Sequence, residues 1–311
     1  MVTEKPPRTA RLATAGARVV VASRFGSRPA RDRVSSALFL ALLLLGMAVA
    51  LAALAALLSW SVIEGAARFD GNLFTEGPST LRPETAGFRP AILGSLYVVG
   101  GVIVLVVPLG VGAAIYLEEY ANPGRWWNRL IELNIQNLAG VPSIVFGILG
   151  LGFIVRGPLS LGQVAAAGSV TLAIMLLPTV IIAAREAIRA VPQAIREGAL
   201  ALGATKWQTI SRQVLPASIS GILTGVILAV ARAIGEAAPL LLLGAVTFVR
   251  FDPQFFEGGF TTLPVQIFDY ARRAQTEFHE LAAAGVLVMI LLVLVMNSFA
   301  IWLRNRYEQK W

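Results

Sequence analysis

The sequence predicts an all-α membrane protein with six transmembrane helices. Three observations carry the prediction. Several uninterrupted apolar runs match or exceed the stretch of about 20 residues that crosses a bilayer as a helix. Only 14% of the 311-residue chain is charged while 56% is hydrophobic, whereas a soluble domain carries about a quarter charged residues. Lysine and arginine are shared unevenly between the segments that separate the apolar runs, as positive-inside sorting requires. The chain has no cysteine, which excludes disulfides, thiolate chemistry and cysteine-ligated metals, and its one histidine cannot build a histidine metal cluster. The net charge of +8 follows membrane topology and does not point to nucleic acid.

Each element follows in order. Residues 1–33 carry eight Lys/Arg against Glu4 and Asp32, with prolines and no sustained apolar period. They read as a basic cytoplasmic tail without fixed structure, suited to lie on anionic lipid. Val34–Leu58 exceeds the core of a cleaved signal peptide, about 7–15 residues, and is the first membrane helix. Ser59–Pro90 is polar and external. Ala91–Leu117 is the second helix, where Pro108 and nearby glycines predict a kink close to the inner end. Glu118–Asn137 holds a turn at Asn122-Pro123-Gly124, then Trp126, Trp127 and Arg129, which suit an interfacial helix at headgroup depth. Leu138–Val155 is the third helix, interrupted by Pro142, and Arg156–Gly162 is a short external turn. Gln163–Ala184 is the fourth helix, containing Pro178. Arg185–Pro216 is an internal loop, Ala217–Val246 the fifth helix, Thr247–Glu280 external, Leu281–Leu303 the sixth helix, and Arg304–Trp311 an internal tail. This assignment puts 18 Lys/Arg inside and seven outside, with both termini cytoplasmic. Residues 34–311 thus form one transmembrane domain. Glycine and alanine recur in helices two to five, where they permit close backbone approach, and their prolines fit a bundle that encloses a pathway.

The internal loop carries the most information. Within Glu197–Pro216, EGALALGATKWQTISRQVLP, an Ala-Leu-Ala-Leu run favours helix, Gly203 breaks it, and Leu215-Pro216 closes the stretch. The expectation is helix, turn, helix, with Gly203 as pivot because glycine takes a left-handed turn without steric cost. Arg196 and Glu197 supply polar groups at its start.

A second constellation is Arg232 and Glu236 in the fifth helix, whose i,i+4 spacing sets them on one face. Ionisable groups at membrane depth face a bundle interior or a watery cavity. Two readings stay open: an ion pair that neutralises the helix, or an arginine fork that meets an anion in transit while Glu236 balances its charge. In Gly140–Gly147, Pro142 loosens the helix and Ser143 offers a hydroxyl, either for packing or to line a pathway. His279, between Phe278 and Glu280, reads as interfacial. No Ser/His/Asp set or paired carboxylates has a catalytic context, so the chain is expected not to be an enzyme. A phosphate-binding loop needs Gly-Lys-Ser/Thr, and none of Lys5, Lys206 and Lys310 follows a glycine.

The spacing of Glu197, Ala199, Gly203 and Leu215-Pro216 resembles the EAA loop of bacterial ABC-importer permeases, with Gly198 in place of the first alanine and Gln213 at a usually aliphatic position. LAGVPSIVFGILGLGF at Leu138–Phe153, ARAIGEAAPLLLLGA at Ala231–Ala245 and LPVQIFDYARRAQTEFHELAAAGVL at Leu263–Leu287 resemble phosphate-importer permeases of the PstA type. The resemblance implies a MetI-like permease fold in the bacterial inner membrane. It makes Arg196, Glu197, Ala199, Gly203, Leu215 and Pro216 the loop that docks on an ATPase, and Arg232, Glu236 and Ser143 candidates for the anion pathway. It further implies a PstC-type second permease, two ATP-binding subunits that hold ATP and Mg, an extracytoplasmic phosphate-binding protein, and phosphate as cargo. The chain itself would hold no cofactor, no metal and no nucleic acid. The alternatives are a permease for another oxyanion, molybdate or sulfate, and a phosphate-sensing membrane scaffold without flux.

Overall fold

The computed structural model describes residues 30–122, 124–245 and 248–307; among them all regular structure is helical. The expected basic tail lies outside the described residues as far as residue 29, as do Pro123 of the expected turn, Val246, Thr247 and residues 308–311. Two compact units are distinguished, Met1–Ser59 and Trp60–Trp311. In the first, α1 (Ala30–Gly65) begins, four residues before the expected Val34, and its leucines are exposed all along it. A helix apolar on every face is a membrane span whose solvent is lipid.

The second unit contains α2 (Arg89–Ile115), α5 (Ala165–Arg189), α8 (Leu215–Gly235) and α11 (Thr276–Tyr307). With α1 these account, among the described residues, for five helices long and apolar enough to cross a membrane, six if one bent pair counts as a single span. That pair is α3 (Trp126–Ala139) and α4 (Ser143–Leu149, prolonged to Val155 by a π-helical turn), which meet at 105°. The expected third helix, Leu138–Val155, is therefore corrected: Leu138 and Ala139 end α3, and the apolar helix proper starts at Ser143. Pro142 explains the break, since it has no N–H and pushes Val141 out of helical geometry.

The expected fifth helix, Ala217–Val246, is corrected at both ends. It begins upstream, since Lys206–Gly235 is one continuous helical span, and it stops at Gly235. Glu236 is extended, and a separate short helix α9 (Ala238–Leu243) ends on Gly244 at φ +100°. The fourth helix runs on to Arg189, past the expected Ala184, and the sixth starts at Thr276 rather than Leu281. The segment expected to be a polar external loop also holds α10 (Leu263–Ala271), with Tyr270 fully buried.

The core is centred on α5. In its most apolar window 72% of residues are buried, against 6% for α11, so α5 is the interior helix and α11 a peripheral one. Small residues allow the close approach. A methyl on Gly110 of α2 would sit 2.8 Å from Val180 of α5, and one on Gly221 of α8 would sit 2.7 Å from the Ala187 methyl. Gly221 and Gly225 face Ala187 and Ala183, a small-xxx-small seam on both helices. Ser169 donates to the Val98 carbonyl at 3.1 Å, tying α5 to α2.

At the end of the unit remote from the 185–216 loop, the segment between α1 and α2 folds over itself. The Arg68 guanidinium donates to Asp70, to the Pro83 carbonyl at 2.6 Å and to the Ala86 carbonyl. Arg89 makes a two-pronged pair with Asp252. Tyr270 stacks on Phe278 and meets Phe88 edge-on, with Arg273 over the Phe278 ring.

Candidate functional site

The 185–216 loop forms as a helix, turn and helix. Pro192 ends the preceding turn, and α6 (Gln193–Ala201) follows. Its end is a Schellman motif: Gly203 N–H donates to the Leu200 carbonyl and Ala204 N–H to the Ala199 carbonyl, with Gly203 at φ +84°. The next helix opens on a capping box the sequence reading passed over. Gln208 N–H donates to Thr205 Oγ1, and Thr205 N–H donates to Gln208 Oε1 at 2.8 Å. The signal was present as Thr-x-x-Gln.

Here α7 (Lys206–Thr209) runs through a π-helical turn, Ile210–Val214, directly into α8. Leu215 and Pro216 therefore lie inside a continuous helix, not at the end of a loop, which corrects the expectation that Pro216 stops the stretch. The π turn supplies the physical reason: its register change falls where proline lacks a donor.

The six loop residues do not share one face. Glu197 is exposed and its carboxylate has no protein hydrogen-bond partner among the described residues; Gly203 is exposed, and Leu202 beside it is 91% exposed. Leu200 and Trp207 are exposed as well. Leu215 and Pro216 are half-buried. Arg196 turns inward. Its side chain is 14% exposed and reaches Glu119, which is 9% exposed, at 2.9 Å. Arg196 also donates to the Val191 carbonyl at 2.6 Å and the Ile188 carbonyl at 2.9 Å. Next to it, Glu118 lies 3.0 Å from Arg189 and 3.5 Å from Arg185, and Arg185 bonds Glu132 at 3.0 Å. These carboxylates went unassigned in the sequence because nothing there shows which arginine meets which acid. A cleft of about 600 Å³ opens among Glu118, Glu119, Arg189, Gln193, Arg196 and Lys206.

Arg232 and Glu236 are joined, Nε to Oε1 at 3.2 Å. Because α8 ends at Gly235, the pair is held across the helix terminus and not along one face. Glu236 is 16% exposed and Arg232 55%, and neither terminal nitrogen of Arg232 has a protein hydrogen-bond partner among the described residues. Ser143 opens α4, half-buried, and no hydrogen bond joins it to Arg232 or Glu236. α4 packs on α9 instead: a methyl at Gly147 would be 2.7 Å from Pro239 Cα. His279 donates to the Arg273 carbonyl at 2.7 Å, a structural contact.

Fold and site together define a multi-pass helical membrane protein that presents a short helix and turn from one end of its bundle. The chain belongs to the family of binding-protein-dependent transport system inner membrane components, whose model matches residues 106–310. Over 234 residues, 73% of this chain and 76% of the relative, it is 39% identical to the phosphate transport system permease protein PstA of Yersinia pestis. It is 35% identical over 219 residues, 70% of each chain, to phosphate transport system permease protein PstA 1 of Mycobacterium tuberculosis (strain ATCC 25618 / H37Rv). A chain of the inward-facing MetNI methionine ABC transporter shares the fold, with a TM-score of 0.53 at 15% identity over 70% of this chain and 92% of that one.

Proposed function

We propose that this chain is the transmembrane permease subunit of an ATP-driven importer that moves inorganic phosphate into the cytoplasm by alternating access. The observation that carries the coupling part is the exposed tip of the 196–207 segment, where Glu197, Leu200, Leu202 and Trp207 are presented to a partner rather than to the bundle. Exposed apolar side chains beside one acid suit a groove on a separate ATP-binding subunit. ATP and Mg sit on that partner, two copies of it, and this chain has no hydrolytic role. A second permease of the PstC type completes the pathway, both termini lie in the cytoplasm, and an extracytoplasmic phosphate-binding protein delivers the cargo. Phosphate as cargo rests on the names of the Yersinia and Mycobacterium relatives.

Arg232 suits the anion. Its Nε is used by Glu236, while the outer edge of the guanidinium stays free for paired hydrogen bonds to oxyanion oxygens. Glu236 keeps the site near neutrality when no anion is present, which limits the penalty of a cation at membrane depth. Ser143 offers a further hydroxyl where α4 begins.

The test is uptake of labelled phosphate by the intact complex in proteoliposomes, with excess molybdate or sulfate as competitor. ATP-dependent uptake blocked only by phosphate supports the reading, and Arg232→Gln should abolish flux while the complex still assembles. Uptake indifferent to excess phosphate, or unchanged in Arg232→Gln, would overturn the cargo or the pathway assignment respectively.

A further inference from the structure

We propose that Glu119 is a positioning residue for energy coupling: through Arg196 it pins α6 to the ends of α2 and α5, so these helices share the motion of the loop with α8. The inference rests on the permease reading above and names the parts that the loop drives.

In sequence the loop runs directly into the helix that follows it. The side-chain bonds of Arg196 add a joint to the helices that precede it. Between α6 and α8 the chain passes through Leu202–Ala204, an exposed turn built on a glycine. Between α6 and the ends of α5 and α2 stand the three bonds of Arg196. Its Nε donates to Glu119, and its two terminal nitrogens donate to Val191 and Ile188, carbonyls of the last turn of α5 and the residues just after it. Carbonyls at a helix C-terminus carry the negative end of the dipole, so a guanidinium is favoured there, although the Ile188 carbonyl also accepts from the Val191 N–H. Glu119 then balances the charge from the other side, on the π-helical turn Tyr116–Tyr120 that extends α2.

The joint is largely buried at the edge of the cleft, Arg196 making three bonds there, which separates it from ordinary solvated loop charges. An exposed ion pair gains little, but a charge-assisted pair shielded from water holds its geometry, and removing one partner leaves the other stranded. Its neighbour does the same work one residue earlier, Glu118 meeting Arg185 and Arg189 on α5. Beneath both lies an apolar cluster that joins the same elements: Ala114 of α2, Ile188 of α5, Ile195 of α6 and Val214 ahead of α8. A push on α6 therefore reaches α2 and α5 through a largely buried ion pair and a shared core. The same core, through Val214, and the turn at Gly203 carry the motion on to α8.

The experiment uses the intact importer complex in proteoliposomes and reads labelled phosphate imported per ATP hydrolysed. Glu119→Gln and Arg196→Gln should each lower that ratio by about fivefold or more, the scale of a typical coupling free energy, and the double variant should fall no further than either single. Because the chain has no cysteine, Glu119→Cys with Arg196→Cys can be bridged by a short bifunctional thiol reagent. Bridging should return the ratio and reduction should remove it again, including where the single variants fail to assemble. A parent-like ratio in Glu119→Gln overturns the proposal. So do losses that multiply in the double variant, or a bridged pair that stays uncoupled. A parent complex that imports no phosphate with ATP would instead overturn the function proposed above.

Discussion

Two glycines five residues apart in the loop should respond to the same substitution with opposite signs. Gly203 sits at φ +84° with nothing within 4 Å of a methyl placed on it, so Gly203→Ala meets no clash and pays only backbone strain. The left-handed region costs a residue with a Cβ about 1–2 kcal/mol. Lower entropy of the unfolded chain returns about 0.4–1 kcal/mol, which leaves a net loss of about 1 kcal/mol. Gly198 lies inside α6 with equally open surroundings, and there alanine is the better helix former by about 0.5–1 kcal/mol. Gly198→Ala also restores the alanine that the EAA pattern carries. Hydrogen exchange of the 193–204 amides in the membrane-embedded protein reads both, since surface helices open locally and exchange through those openings. Gly203→Ala should speed exchange about fivefold and Gly198→Ala should slow it by up to about fivefold. Unchanged or slower exchange in Gly203→Ala would refute the strain argument. Faster exchange in Gly198→Ala would refute the helix assignment.

Gly94→Ala should abolish folded protein in a detergent size-exclusion assay, because a methyl there overlaps the Thr261 carbonyl oxygen. Gly112→Ala in the same helix meets open space and should leave the profile intact. Arg68→Met should loosen the segment between α1 and α2 by about 1.5–3 kcal/mol, the worth of a hydrogen bond to a charged group, and limited proteolysis should then cut within residues 69–88. Cleavage at the parent rate would show that Asp70 and the aromatic packing hold the segment without it.

The long spans were legible because length and apolarity alone report them, and the turn at Gly203 because its glycine lies between strong helix formers. The breaks were harder. Pro142 ends one helix, while Pro108 and Pro178 lie inside theirs, and nothing local to each proline separates the cases. Glu236 read as helical because Ala-Ala-Pro-Leu continues the apolar run, yet Pro239 is placed to begin α9 rather than to continue α8. α10 was hidden by its nine-residue length inside a polar segment. The Glu118–Glu119 network was invisible for a different reason: its partners lie 53–77 residues away, and sequence spacing carries no record of pairs at that range.

The shortness of α4 bears on how this protein is made. From Ser143 to Val155 it is 13 residues, roughly 20 Å at an α-helical rise, against a hydrocarbon layer of about 30 Å. A segment of that length has too little apolar surface to partition into a bilayer on its own merits. Its place is set by α5, whose Thr171 abuts Gly150, and by α9, against which Gly147 lies backbone to backbone, and α9 leaves the ribosome only after α5 and α8. It follows that the α3–α4 corner settles late. The middle of the chain takes its final depth only when a much later part of the message has been read.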